Sequence, residues 1–375
     1  MLNGLINSFK KSTRRVSYGA IGVEPSLHSL NIVQLASQAN GEPGINAWAS
    51  VPYMGDREAC IYAEKNLQQI VKQAFSKNKF HGRKINTVLP ASDLKIMSVS
   101  YELQAGQSEV QAIAQRVSER VEGALQDYVV DYLPVRQQES KGKSTAIVAI
   151  ARRERVIAYL ECLRKAGLQV DCLEIGPASI KRLVAEMHKP KEGETVLVVN
   201  FGQRRSYLSI ISGRRLLFDE QIAFGEALLL EKLEQVLGLS DQLSKTQIMQ
   251  HGLGDDDGDN KVYCDTVDPE ISSTILQVLK PSFMQLSENI RRALVYAVSE
   301  TRGDPVTKIF LLGSVARWRG ANKVVSDLLG IPVQVITDPL IRFRASGDMA
   351  EMFSENRPEF AVATGLALKG FSHRG

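Results

Sequence analysis

Val196–Ser212 reads VLVVNFGQRRSYLSIIS, and Tyr18–Ala36 reads YGAIGVEPSLHSLNIVQLA. In each stretch an apolar run stops at a short polar turn and a second apolar run follows, the pattern of a β-hairpin. The turn of the first is read at Glu24-Pro25-Ser26, between strands Tyr18–Val23 and Leu30–Ala36. Two such hairpins lie far apart in one chain, and each is followed by helices and another strand. They predict two related halves, each offering a turn to a central cleft.

Outward from the hairpins, strand-like runs alternate with helical patterns, which is an α/β layered plan. Helices are predicted over Asp56–Phe75, Gln107–Leu125, Arg153–Ala166, Glu226–Leu237, Thr274–Ser299 and Ala361–Leu368, with Pro281 expected to start or kink the fifth. Further strands are predicted at Ile85–Leu89, Met97–Leu103, Ala146–Ala151, Leu168–Glu174, Arg215–Ala223, Lys308–Leu312 and Val333–Ile336. The segment Ser92–Ala166, between the hairpins, carries its own strands and helix and reads as an insertion.

The chain has 375 residues, 44% hydrophobic and 23% charged, an ordinary globular composition that fits two domains or one large split domain. Its four cysteines form no C-x-x-C pair, so neither a zinc ribbon nor a redox dithiol is indicated. The net charge of +4 equals the four cations Lys10, Lys11, Arg14 and Arg15, which stand in a stretch without an acid. The rest of the chain is neutral in sum, with no duplex-binding footprint. Leu2, Leu5, Ile6 and Phe9 share one helical face just before that cluster. These residues, with Lys10 and Lys11, are candidate contacts for anionic lipid; packing on a neighbour is the alternative. No run of 18 apolar residues offers a membrane span, and the order of apolar and basic stretches does not fit a signal peptide.

Several motifs fail on inspection. Gly142-Lys143-Ser144-Thr145 lacks the first glycine of a P-loop, since position 137 is Gln137, and it precedes a strand. The run Asp255-Asp256-Asp257-Gly258-Asp259 resembles a calcium loop, but Leu253 and Cys264 would fill its first and last ligand positions. No H-E-x-x-H or G-x-S-x-G occurs, and Asp93 and Asp131 read as a cap or a surface charge. No catalytic residue and no metal site is assigned.

Six stretches together resemble one family. They are Ile21-Gly22-Val23 leading to Ile32-Val33-Gln34-Leu35; Ala151–Val156 with Ala166-Gly167-Leu168; Val196–Gly202; Leu286–Leu294; Ile309–Gly313 followed by Arg319-Gly320; and Phe360–Ala367. In this order and spacing the chain resembles the PilM family of type IV pilus assembly, from about Tyr18 to Gly370. The resemblance implies an α/β, actin/Hsp70-like two-lobed fold with an inserted α/β subdomain. The expected organisation is a basic amphipathic tail over 1–17; a first lobe of 18–91 and 167–190; the insertion at 92–166; and a second lobe of 191–375, with a mainly helical subdomain about 226–300. It further implies ATP and Mg²⁺ between the lobes. The implied partner is a PilN-like inner-membrane protein, held by its cytoplasmic peptide beside the inserted subdomain. The implied location is cytoplasmic, peripheral to the inner membrane.

The positions matching the family's nucleotide motifs are Glu24, Ser26, Ser29, Asn200, Gly202, Gln203, Gly225, Gly313 and Ser314. Several depart from the pattern. Glutamate stands at Glu24 for aspartate, Ser26 for glycine, Asn31 for lysine and Asn200 for aspartate; Pro25 has no N–H to offer a phosphate. Glu226, after Gly225, would repel phosphates. Phosphoryl transfer depends on positioning and charge stabilisation, and these are the missing features. The expected function is therefore a scaffold of a type IV pilus machine, or of a related MSHA-type or secretion system. An active ATPase of the same machinery is the alternative. A sugar kinase of the same fold lacks a matching catalytic carboxylate.

Overall fold

The computed structural model describes residues 16–38, 41–136, 144–191, 193–254, 267–301, 303–343 and 358–371. The candidate lipid contacts Leu2, Leu5, Ile6, Phe9, Lys10 and Lys11, and the acidic run at 255–259, lie outside the described residues.

The first sheet is built from β1 (Ile21–Pro25), β2 (Ser29–Ser37), β3 (Pro43–Pro52), β4 (Lys84–Val88) and, after an excursion, β8 (Gln169–Glu174); its order is β3-β2-β1-β4-β8. Helices α1 (Arg57–Tyr62) and α2 (Glu64–Lys77) connect β3 to β4. The excursion holds β5 (Leu94–Tyr101), α3 (Glu109–Ser118), β6 (Tyr128–Arg136), β7 (Ser144–Arg152) and α4 (Arg153–Lys165). Its strands form a separate antiparallel sheet, β5-β7-β6. Helix α5 (Gly176–His188) then leads to β9 (Thr195–Phe201), β10 (Ser206–Ser212) and β11 (Arg215–Ile222). Next come α6 (Glu226–Leu237), α7 (Asp241–His251), α8 (Pro269–Glu300), β12 (Val306–Gly313), α9 (Ala321–Leu329), β13 (Val333–Val335) and α10 (Ala361–Ala367). The last sheet has the order β11-β10-β9-β12-β13.

The two five-stranded sheets repeat one plan. In each, the opening strand pairs antiparallel with the next and parallel with a later one: β1 with β2 and β4, β9 with β10 and β12. Both hairpin turns therefore stand at the carboxyl end of a parallel pair, where open α/β sheets place ligands. Val33, Leu35 and Val88 of the first lobe share one apolar core with α5, α10 and the second sheet. A second core lies under α1, α2 and α4, where Val156, Tyr159, Cys162 and Leu163 are buried. Helix α4, inside the segment read as inserted, thus packs in the first lobe.

Three differences from the expected elements have physical reasons. Strand β1 runs on through Glu24 and Pro25, so the first turn is Ser26-Leu27-His28. Pairing with β4 has ended at Val23↔Thr87, so on that side no ladder bond needs the N–H that Pro25 lacks. The predicted helix at Asp56–Phe75 is two helices broken at Ala63 (φ −94°, ψ 116°), and the Asn66 side chain donates to the Ala59 carbonyl at 3.1 Å. Helix α8 continues through Pro281, which is exposed; its start is set by Pro269 with Asp268 as cap, accepting from the Glu270 and Ile271 amides.

Asp93 fixes the entry to the excursion. It accepts from the Tyr62 hydroxyl at 2.6 Å and pairs with Arg155 at 2.8 Å, while the Arg155 guanidinium lies 3.9 Å from the Tyr62 ring centroid. Among the described residues no helix is long and apolar enough to cross a membrane.

Candidate nucleotide cleft

In the second lobe the candidates converge. The turn Gly202–Arg205 lies against the start of α6 and against Gly313-Ser314 at the end of β12. The Glu226 amide donates to the Gly202 carbonyl at 3.0 Å, and the Ala227 amide to the Gln203 carbonyl at 2.8 Å. The amino end of α6 is the kind of site that binds anions through free N–H groups. Here two of its amides are used by the turn. Ser314 closes the third side: its amide donates to the Phe201 carbonyl at 3.2 Å, and its Oγ to the Gly202 carbonyl at 3.4 Å. Two glycines permit this packing. Gly313 has φ +82°, and a Cβ there would collide with the Phe201 carbonyl. Gly225 is extended, but a Cβ on it would strike the Gln203 carbonyl. Asn200 is half-buried, and no side-chain hydrogen bond joins it to another described residue.

The first-lobe candidates form a different kind of arrangement. Ser29 is buried, and its hydroxyl donates inward to Asn31 Oδ1 at 2.9 Å. Ser50 donates to the same oxygen at 2.8 Å, while Asn31 Nδ2 donates to the Glu359 carbonyl at 3.0 Å. The Ser26 amide turns back to the Glu24 carbonyl at 2.9 Å. Glu24 sits at the focus. Its Oε2 is shut off from solvent and has no hydrogen-bond partner among the described residues. Burial, and secondly the charge of Glu359, push its carboxyl up to about 8, partly offset by the Ala363 amide and Asn31. At pH 7 Glu24 is mainly a neutral acid. The nearby Tyr53 hydroxyl is likewise buried without a partner among the described residues, and Tyr159 is held by Thr87 at 2.8 Å.

Sequence reasoning missed the group that joins the two sides, Arg317. It lies in the turn Val315–Arg317 after Ser314. Its Nη2 is 3.6 Å from buried Glu226, and its Nη1 is 3.4 Å from Glu359. Glu359 bonds through its own carbonyl to Asn31 of the opposite lobe. A chain of contacts, Glu226–Arg317–Glu359–Asn31, therefore spans the cleft. Burial holds the Glu359 carboxyl above its usual range; Arg317 opposes this and Glu226 adds to it. The missed signal was Arg317 itself, three residues after Ser314, a position already read as part of the site.

A family model for type IV pilus assembly protein PilM matches residues 22–371. The chain belongs to the PilM family. Among solved structures it resembles a PilM–PilN type IV pilus biogenesis complex, with TM-score 0.72 and 22% identity over 94% of this chain and 98% of that one. It also resembles the ethanolamine utilization protein EutJ from Carboxydothermus hydrogenoformans, with TM-score 0.51 and 14% identity over 94% of this chain and 89% of that one. At these identities the likeness is one of fold. This chain has the actin-like two-lobed α/β fold with an inserted α/β subdomain.

Proposed function

We propose that this PilM-family chain is a scaffold of a type IV pilus machine that has kept the two-lobed fold and given up nucleotide chemistry. The observation that carries the reading is the bridge through Arg317. A guanidinium that would otherwise meet phosphate is engaged by Glu226 and Glu359. The residues present do not fit a magnesium–polyphosphate group. Asn200 is a neutral amide, Glu24 is enclosed with the charge of Glu359 nearby, and the amides of Ser26, Glu226 and Ala227 already have carbonyl partners. One observation favours the alternative of an active ATPase: the buried Glu24 Oε2 and Tyr53 hydroxyl lack partners that a ligand could supply.

The partner reading rests on the inserted sheet, which we assign to about residues 94–152. On one face Tyr128, Val130 and Tyr132 pack with α3. On the other, Ile96 and Ile147 meet the second-lobe core, and Leu94 and Ala151 meet the first. Alternation along β6 leaves Val129 and Leu133 on that second face, each 37% exposed, beside half-buried Ala149. Strand β6 is also an edge among the described strands. Val129 and Leu133, with exposed Asp131 between them on that face, line an edge strand that suits an extended peptide added as a further strand. The resembling structure is a PilM–PilN complex. The peptide we assign is accordingly the cytoplasmic segment of a PilN-like inner-membrane protein, which would hold the chain at that membrane. The test is calorimetry of the full chain with such a peptide. Leu133→Glu should weaken binding tenfold or more while the thermal midpoint holds; unchanged affinity would move the groove elsewhere.

A further inference from the structure

The neutrality of residues beyond the tail conceals a segregation of charge. From Lys65 to Lys84 the chain carries Lys65, Lys72, Lys77, Lys79, Arg83 and Lys84 and no acid. All six are exposed on the first lobe. Lys84 is paired with Asp171 at 2.9 Å, but among the described residues no carboxylate pairs with Lys72, Lys77, Lys79 or Arg83.

This surface is built, not merely populated. The loop after α2 is pinned by the side-chain amides of buried Gln34 and half-buried Asn46. Gln34 donates to the His81 carbonyl at 2.8 Å and accepts from the His81 amide at 2.8 Å; Asn46 donates to the Lys79 carbonyl at 3.0 Å. Arg83 lies over the Phe75 ring, 4.1 Å from its centroid. Beside it opens a cavity of about 400 Å³. Val71 and Phe75 give it apolar lining, Lys72 and Arg83 give it positive charge, and the end of α4 at Ala166–Gly167 closes it.

The tail reaches the described structure at this surface. Ser17 and Tyr18 join the edge of β2 near Ala36 and Ser37, and the Tyr18 ring stacks on His81, with centroids 3.7 Å apart and planes 6° apart. The described chain thus begins beside the basic loop, at residues 16–18.

We propose that this first-lobe face, built on α2 and the loop at 78–84, docks on an anionic lipid surface, with headgroup phosphates held between Lys72 and Arg83. The proposal does not depend on the peptide groove. Cations near an anionic leaflet add in effect, and one weak apolar anchor holds only reversibly without a basic patch.

The test is flotation of the full chain with vesicles of phosphatidylcholine alone and of phosphatidylcholine with phosphatidylglycerol. Binding is expected only to the anionic vesicles and should fade as salt shortens the screening length from about 10 Å to about 3 Å. K72Q/K79Q/R83Q changes exposed side chains only and should lower vesicle affinity on the order of a hundredfold. The control K280Q/R292Q, which removes cations from α8, should bind as the parent does. Equal losses in the two variants, or no loss in the triple variant, would overturn the proposal. So would failure of the parent to float, or its release from vesicles by soluble polyglutamate in preference to lipid.

Discussion

The two hairpins of this protein share one strand plan, yet their turns hold their polar groups in different ways. At the β9–β10 turn, backbone satisfies backbone: the Gly202 and Gln203 carbonyls take the first amides of α6. At the β1–β2 turn, a carboxyl is enclosed and largely protonated, within a net organised by Asn31. Arg317 and Glu359 then tie one turn to the other. The comparison teaches that sheet topology and turn chemistry are separable. Packing around small residues such as Gly225 and Gly313 serves the first; the polar side chains at each turn set the second.

The largest expected effect is on the tie itself. Arg317→Ala leaves Glu226 and Glu359 as buried charges without their cation. Breaking a buried pair commonly costs about 3–5 kcal/mol. At separations of 3.4 and 3.6 Å, and with one-fifth of the arginine side chain exposed, we expect a loss of about 2–4 kcal/mol in urea unfolding. A loss below about 0.5 kcal/mol would mean that the lobes are held without the bridge. Next in size is Gly313→Ala in the second lobe, expected to cost about 2–3 kcal/mol through its positive φ and the collision with Phe201. An unchanged thermal midpoint would show that this turn is less tightly packed than described.

Glu24 gives the first lobe a signature that the second-lobe turn lacks. Its carboxyl holds a proton more tightly folded, at about 8, than at its ordinary value of 4.5. Its contribution is therefore complete below about 4.5 and is lost as pH rises through about 8. Glu24→Gln copies the neutral acid, so the stability of the variant relative to the parent should climb across that interval. A constant difference would mean that Glu24 is ionised when folded. The smallest contrast is between two serines. Ser29→Ala removes a buried 2.9 Å bond to Asn31 and should cost about 1 kcal/mol; Ser314→Ala removes a 3.4 Å bond and should cost about 0.5 kcal/mol or less. The reverse order, read from denaturant midpoints, would put the tighter polar net in the second lobe.

The hairpins, the parallel strands and most of the helices were legible because periodicity reports burial; α5, α7 and α9 were not read. Two strands were not. In β3 the inward positions include Ala47 and Ala49, too small to mark alternation, and β6 contains Pro134, which reads against a strand yet is tolerated at an edge. The site positions were legible one by one, through spacing around the glycines. Their joining was not, because Arg317 meets a glutamate 91 positions earlier and another 42 positions later. The basic face escaped for a different reason: summed charge averages over surfaces that the fold separates.

The central claim is that the cleft is closed to nucleotide by the protein's own side chains. The most direct test is calorimetry of the full chain with ATP and Mg²⁺, run beside the PilN-like peptide. We predict no saturable heat with ATP at millimolar concentration and clear binding of the peptide. Saturable micromolar binding of ATP would contradict the account, placing a ligand at the unpartnered Glu24 and Tyr53 atoms and making the chain a nucleotide-binding member of its family.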